Sequence, residues 1–196
     1  MNGEADKSEA APEGAIRVLL ISGSLRARST NAAVLRTLEV LAPAGIDASV
    51  FNGLADLPHF NPDDDVVPLH PAVATLRNEI RVSDALLFST PEYAGALPGS
   101  FKNLLDWTIG DDDVRSISEK PVAWINAAPR GAARAHASLE AVLGFANAVV
   151  VGTACAQVPV TGDMVGDDDL ISDLQVRSQN CTALAKLASA ARHAAA

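Results

Sequence analysis

The chain has 196 residues, of which 48% are hydrophobic and 20% are charged, as in an ordinary globular protein. This length fits a single domain with a substantial core. The formal net charge of -9 argues against nucleic acid or an anionic membrane as a partner. No apolar run approaches the roughly 20 residues that a membrane-spanning helix needs.

The chain begins with the acidic stretch MNGEADKSEAAPEG, which lacks the apolar segment of a secretory signal. We therefore predict a disordered tail at residues 1–14 and a single domain at residues 15–196. Two cysteines, Cys155 and Cys181, lie far apart and form no CxxC pattern. They indicate a reduced, cytoplasmic setting in which both thiols are buried rather than reactive.

Five nearly continuous apolar runs are typical of strands that are covered on both faces of a parallel sheet. These predicted strands are Ile16–Ser22, Ile46–Phe51, Ala85–Ser89, Val122–Asn126 and Ala148–Ala156. Segments with helical periodicity separate them, so the chain consists of five βα units. This pattern predicts a doubly wound α/β sandwich.

Inward-facing residues at helical spacing mark the five predicted helices. The expected positions are Val34, Leu38 and Leu41 in the first helix, Val73, Leu76 and Ile80 in the second, and Leu104, Leu105 and Ile109 in the third. The fourth helix is predicted at Ala133–Ala146. The fifth is predicted at about Asp168–Ala191, with Leu170, Leu174, Cys181, Leu184 and Leu187 inward.

Ligands of such folds bind beyond the carboxyl ends of the strands. The first loop there reads ISGSLRARSTN, residues 21–31, and leads into a helix that Ser29 or Thr30 could cap. Free N–H groups at a helix N-terminus, hydroxyls and Arg26 form a suitable phosphate site, although a capped polar turn explains the same residues. Walker and GxGxxG motifs are absent, and no acid ends the second strand, which favours a mononucleotide over NAD.

The third strand continues into STPEYAGALPGSFKNLLDW, residues 89–107. Pro91 and Pro98 stiffen this segment, while Gly95 and Gly99 permit tight turns. A flat ligand could lie against its backbone and the ring of Tyr93. A rigid strand-to-helix crossover in which the tyrosine only packs is the alternative.

Together the two loops resemble the NADPH-dependent FMN reductase family of flavodoxin-like proteins, which includes bacterial quinone, chromate and azo-dye reductases. The resemblance is carried by GSLRxxSxN at 23–31 and PEYxGxxPGxxKNxxDW at 91–107, and more weakly by KPVAWINAAPRGAARA. It covers about residues 16–151. It implies a flavodoxin-like three-layer sandwich, with a five-stranded parallel sheet in the order 2-1-3-4-5 and helices on both faces.

The resemblance also implies a cofactor site. It places the FMN phosphate at Ser24, Arg26, Ser29 and Asn31. It places the flavin ring against Pro91, Glu92, Tyr93 and Ala94, largely through main-chain groups. Many relatives have Asn or His at the position of Ala94, so any side-chain contact there is lost. The loop 127–131 would flank the pyrimidine side of the ring.

The implied reaction is a ping-pong hydride transfer from NADPH or NADH through FMN to a small acceptor, such as a quinone, chromate, an azo compound or free flavin. No catalytic side chain is expected, because the cofactor does the chemistry. Backbone groups of Glu92, Tyr93, Ala94 and Gly95 would stabilise the reduced ring. The family resemblance further implies a homodimer or homotetramer.

Two alternatives remain at this point. One is a flavodoxin-type electron carrier that binds FMN without substrate turnover, although the T/S-x-T-G-x-T loop of flavodoxins is missing. The other is a flavin-free protein that retains the fold. Arg130 could contact the 2′-phosphate of NADPH, but a solvated arginine is the favoured interpretation.

We predict no metal site. The aspartate runs at 63–65, 111–113 and 167–169 are interpreted as solvated loops or helix N-terminal acids, and the four histidines share no ligand spacing. Glu92 has no neighbour that suggests a catalytic acid. His59 and Phe60 could line an acceptor pocket, but packing is favoured, and Trp107 and Trp124 are expected in the core or at a subunit interface.

Overall fold

The computed structural model describes residues 14–111, 113 and 115–194. The predicted disordered tail therefore lies outside the described residues, except for Gly14, which forms part of a turn.

The strands form the parallel sheet that the apolar runs predict. They are β1 (Ile16–Ser22), β2 (Ile46–Phe51), β3 (Ala85–Ser89), β4 (Pro121–Asn126) and β5 (Val149–Val150). The first three have the expected bounds, and the fourth begins one residue early. Their order in space is β2-β1-β3-β4-β5, all parallel, so the predicted order is confirmed.

The prediction of one continuous fifth strand was wrong. A 3-10 turn at Gly152–Ala154 separates β5 from a second short strand, β6 (Ala156–Gln157). β5 pairs with the start of β4, and β6 pairs with its end at Ile125 and Asn126. The apolar pattern hid this break because Ala154, inside the turn, is itself fully buried.

Helices cover both faces of the sheet. They are α1 (Thr30–Leu41), α2 (Pro71–Val82), α3 (Gly99–Ile109), α4 (Ala133–Phe145) and α5 (Leu174–Ala194). One core contains residues of α1 and α5, and the other contains residues of α2, α3 and α4. Leu20 of β1 enters the first core and its neighbour Leu19 enters the second, so the predicted three-layer sandwich is confirmed.

The start of α5 differs from the prediction. Residues 165–171 form a small hairpin, in which Val165 bridges to Ile171 and the N–H of Gly166 donates to Leu170 O at 2.8 Å. The helix begins only at Leu174, whose side chain is 76% exposed rather than inward. Two other expected inward residues, Leu41 and Ile109, are also partly exposed at the ends of their helices.

The long segment between β2 and α2 packs against α3. Phe60 meets the ring of Trp107 edge-on, with 5.0 Å between ring centroids, and Trp107 Nε1 donates to Pro58 O at 2.8 Å. Trp107 is buried, and packing is therefore the role of Phe60 as well. Within the described part of the chain, no helix combines the length and apolarity needed to cross a membrane.

Candidate functional site

Gly23 allows the loops after β1 and β3 to lie side by side. Its N–H donates to Ser89 O at 2.9 Å, which extends the pairing of the two strands by one step. A Cβ at this position would lie 2.6 Å from the Cβ of Thr90, closer than side chains approach. Only glycine fits this crossing without a shift of its neighbours, and the crossing brings residues of both loops together.

The N-terminus of α1 opens towards the same place. Ser29 is its N-cap, with a side-chain oxygen that accepts from Ala32 N at 3.3 Å. The N–H groups of Thr30 and Asn31 have no acceptor among the described residues, as expected for a first helical turn. Ser89 Oγ lies 3.0 Å from Asn31 Oδ1 and holds that buried side chain in place. Such a helix start attracts anions.

The loop before α1 adds positive charge. Ser24 Oγ accepts from the N–H of Arg26 at 3.3 Å, and this bond shapes the turn. The side chains of Arg26 and Arg28 are exposed, and neither forms an ion pair with any described residue. Two guanidinium groups without an ion-pair partner among the described residues therefore lie beside the capped start of α1, in a chain whose net charge is negative.

The segment after β3 folds back on itself in a two-residue turn. Tyr93 and Ala96 exchange both backbone hydrogen bonds at 3.0 Å. Between them, Ala94 has a φ of 51° and Gly95 a φ of 74°, the signs that a type I′ turn requires. The Tyr93 side chain is 44% exposed. The turn is therefore rigid and presents an aromatic ring to solvent.

Glu92 ties this turn to α4. One oxygen of its carboxylate, Oε2, accepts hydrogen bonds from the N–H groups of Arg134 at 3.0 Å and Ala135 at 3.1 Å. The N-cap residue of α4, Ala132, offers no side-chain cap of its own. Glu92 thus replaces the missing cap, which is a structural role that neither the motif nor the family resemblance indicated.

Asn126 holds a third loop, the one after β4, in place through its side chain. The side-chain oxygen of Asn126 accepts from Ala128 N at 3.0 Å, and its amide nitrogen donates to Gly131 O. Gly131 N in turn donates to Ala128 O at 3.0 Å, which closes a turn with Pro129 at its second position. The position of Arg130 is fixed by this turn.

The three loops surround one cavity of about 520 Å³. The predicted site residues that line it are Ser24, Arg26, Ser29, Asn31, Pro91, Glu92 and Tyr93. Ala94 and Gly95 belong to the same turn but do not line the cavity. Residues that the sequence analysis missed are Arg28, Thr30, Ala132 and Gly162. Gly162 comes from the segment after β6, and no local signal in the sequence connected that segment to the site.

His136 lies behind the Glu92 contact. Its side chain is buried, Nδ1 lies 2.9 Å from Ala132 O, and Nε2 has no partner among the described residues. Burial lowers the pKa of His136, while the bond to Ala132 and the charge of Glu92 partly offset this effect. A neutral histidine therefore packs under the start of α4.

None of the described aspartates or cysteines lines this cavity. Asp65 pairs with Arg77 at 2.8 Å, and Asp111 pairs with Arg81 at 2.5 Å, so the prediction of solvated acids was wrong for these two aspartates. Across the described ranges, no three His, Cys, Asp or Glu residues are grouped as metal ligands. Burial raises the pKa of the Cys155 and Cys181 thiols, which are both half-buried and free.

The fold and the cavity define a class of protein. An open parallel sheet of this order, with an anion-receptive loop after β1 and a rigid backbone turn after β3, is that of a flavodoxin-like nucleotide-binding protein. The chain belongs to the NADPH-dependent FMN reductase family, whose model matches residues 16–161. The predicted class, an FMN-dependent NAD(P)H oxidoreductase, is thereby confirmed.

Individual relatives agree with this assignment. An NAD(P)H-dependent FMN reductase of Pseudomonas aeruginosa is 39% identical over 132 residues, which cover 66% of this chain and 70% of that protein. A quinone reductase of Escherichia coli is 34% identical over 139 residues, with coverages of 69% and 73%. FerB of Paracoccus denitrificans, a flavoenzyme NAD(P)H:(acceptor) oxidoreductase, superposes with a TM-score of 0.77 at 27% identity and covers 91% of this chain and 98% of its own.

Proposed function

We propose that the cavity holds FMN and that the enzyme uses NAD(P)H to reduce a small acceptor of the quinone class. The observation that carries the proposal is the meeting of two unlike surfaces in one cavity. One surface is a helix start with free N–H groups and two arginines that form no ion pair with a described residue. The other is a stiff turn that exposes backbone and a tyrosine ring. A phosphorylated, flat, polar ring system matches both.

The phosphate end is assigned to Ser24, Arg26, Ser29 and Asn31. Ser29 uses its oxygen as the helix cap, so its hydroxyl hydrogen remains free to donate. Ser89 approaches the oxygen of the Asn31 amide, and the amide nitrogen stays free. Each charge-assisted hydrogen bond contributes about 1.5–3 kcal/mol, and micromolar affinity needs about 8 kcal/mol. Four or five such bonds are sufficient.

The ring end is assigned to Pro91, Glu92 and Tyr93, which line the cavity, mainly through main-chain groups. Ala94, also expected there, lies beside them in the same turn but does not line the cavity. FMN held there would supply the hydride and electron-transfer chemistry between the nicotinamide and the acceptor. The protein positions these ligands and supplies the fixed dipoles of the turn's backbone groups. The carboxylate of Glu92 accepts hydrogen bonds from α4 and thereby holds this turn in one place. No side-chain nucleophile or proton donor is required.

The acceptor, assembly and location are further parts of the proposal. A quinone is favoured because a relative named quinone reductase shares 34% identity with this chain. We assign residues 15–196 to a single FMN-binding unit that assembles as a homodimer or homotetramer. A cytoplasmic location is proposed because the reaction consumes reduced nicotinamide nucleotide and both cysteines are free thiols.

The test is steady-state turnover of FMN-loaded protein with NADPH or NADH and benzoquinone. We expect acceptor-dependent oxidation of the nucleotide, with parallel double-reciprocal lines because the first product leaves before the acceptor binds. The same protein without FMN is the control. Stoichiometric FMN binding without turnover of any small acceptor would instead identify an electron carrier.

A further inference from the structure

The outer face of α4 carries little charge for a helix that covers a sheet. The exposed residues of this helix are Ala133, Arg134, Ala137, Glu140, Ala141, Gly144 and Phe145. Apart from Arg134 and Glu140, all of them are alanine, glycine or phenylalanine. A surface helix normally presents charged and polar residues on its outer side, whereas a helix that is apolar all round is covered on every side. The outer face of α4 therefore has the composition of a covered face.

Phe145, at the C-terminal end of α4, protrudes from this face. It is 80% exposed, whereas the other four phenylalanines of the chain are buried or half-buried. Ile109, the last residue of α3, is 38% exposed and lines the same surface. A phenylalanine buries about 150–250 Å² when it is fully covered, so the exposed ring leaves a large favourable burial unused.

A groove between α3 and α4 lies beside Phe145 and encloses a cavity of about 390 Å³. Its apolar walls include Phe60, Ile109, Ala141 and Val142. Because a cavity of about 150 Å³ is enough to hold a benzene molecule, this groove has room for a phenyl ring. The face thus presents both a protruding ring and a recess that can receive one.

The polar residues of this groove leave it without net charge. Lys102 Nζ lies 2.5 Å from Asp106 Oδ1 one turn later on α3, and Ser138 of α4 lies opposite them. Copies of a chain with a formal net charge of -9 repel one another in general. The groove is a place where this repulsion between two copies is weak.

A ring beside a recess is self-complementary under two-fold symmetry. Two copies related by a two-fold axis bring the same patch together, so each copy supplies the ring that fills the recess of the other. The N-terminal segment of the chain itself is a poor occupant, because residues 1–13 contain no aromatic residue and no large apolar side chain after Met1.

We propose that a second copy of this chain docks on the α3–α4 face, with Phe145 of each copy inserted into the groove of the other. A stable interface buries about 1,200–2,000 Å² in total, and two phenylalanines with this exposure supply about 240–400 Å² of it. The exposed alanines of α4 and the walls of the groove supply further apolar area. This inference specifies the assembly stated in the proposed function, and it rests on that assembly rather than on the reaction.

The test is sedimentation equilibrium of the full chain with FMN, which measures the dissociation constant of its oligomer. Truncation of a central interface aromatic weakens binding by about thirtyfold or more, and a two-fold interface contains this residue twice. Phe145→Ala should therefore raise the dissociation constant at least about a hundredfold. Phe145→Asp and, within the groove, Ala141→Arg should weaken association further, because each would bury a charge.

Leu174→Asp is the matched control. Leu174 is 76% exposed at the start of α5, whose buried residues belong to the core on the other side of the sheet. This substitution should leave the dissociation constant unchanged. Circular dichroism shows whether each variant is folded, and Ala141→Arg decides the question if Phe145→Asp does not fold.

The outcomes separate this inference from the rest of the proposed function. Wild-type protein that is monomeric at every concentration would overturn the inference together with the proposed assembly. An oligomer that folded Phe145→Asp and Ala141→Arg leave intact, or that Leu174→Asp weakens equally, would overturn this inference alone. Dissociation of a tetramer to dimers in the groove variants would support it. Turnover of NAD(P)H by the wild type tests only the proposed reaction.

Discussion

The carboxylate of Glu92 accepts a hydrogen bond from the backbone N–H of Ala135 at 3.1 Å and a second one from the neighbouring N–H of Arg134. This contact joins the loop after β3 to the start of α4. It provides the helix with the acceptor and the negative charge that its own first turn lacks. The same contact fixes the turn that is assigned to the flavin ring.

Replacement of Glu92 by alanine should lower the free energy of unfolding by about 1–2 kcal/mol, the range for loss of a helix cap. Glu92→Gln keeps an acceptor oxygen and should lose less. Urea unfolding measures both changes. Glu140→Ala, at an exposed position of the same helix, is the matched control, and an equal effect of the two alanine variants would contradict the capping role.

Ala94 carries backbone strain, because its φ of 51° lies in the left-handed region that L-residues with a Cβ avoid. Asparagine tolerates this region and suits a type I′ turn. Ala94→Asn should therefore stabilise the protein by about 0.5–1 kcal/mol. Ala96→Asn, two residues later without a positive φ, should give no such gain in the same unfolding measurement. A gain in stability from both substitutions, or from neither, would contradict the inferred strain at Ala94.

Gly23 and Gly99 provide a matched pair for steric crowding. A Cβ at Gly23 meets Thr90, whereas a Cβ at Gly99 has nothing within 4 Å. Gly23→Ala should destabilise the protein by about 1–3 kcal/mol, as overpacking does. Gly99→Ala, at the start of α3, should be neutral or stabilising by about 0.4–1 kcal/mol. Similar unfolding midpoints for the two variants would show that the two loops are not packed as described.

His136 should make the protein less stable in acid. Burial lowers its pKa in the folded state, so the unfolded chain takes up the proton first as pH falls. Its contribution is fully present above the unfolded pKa of about 6.5 and is lost as pH falls below that value. Unfolding free energies between pH 7 and pH 5 should thus decline more steeply in wild type than in His136→Leu. Identical slopes for wild type and His136→Leu would exclude the histidine as the cause.

The sequence predicted the first three strands correctly because clear breaks bound them, such as Gly23 after β1 and Pro91 after β3. It failed at the fifth strand and at the start of α5. There the structure depends on contacts between distant residues, such as the bond from Ile171 N to Thr37 Oγ1 at 2.8 Å. The spacing of apolar residues cannot predict the hairpin at residues 165–171, because a residue of a different helix, α1, holds it in place.

The candidate site, like the fold, could be predicted only in part from the sequence. The two motifs identified half of the residues that line the cavity, because each motif lies on one loop. The contribution of Gly162 and the capping role of Glu92 could not be predicted from local sequence. Both depend on the topology that brings segments after β3, β4 and β6 to one edge of the sheet.

The central claim is that the loop after β1 binds a phosphate, and Arg26 tests it most directly. The measurement is the equilibrium affinity of wild type and Arg26→Ala for FMN and for riboflavin, which lacks the phosphate, with Arg192→Ala as the control for net charge. The variant should bind FMN at least about tenfold more weakly while its affinity for riboflavin is unchanged. Unchanged affinity for FMN, or an equal loss for both ligands, would contradict the phosphate assignment.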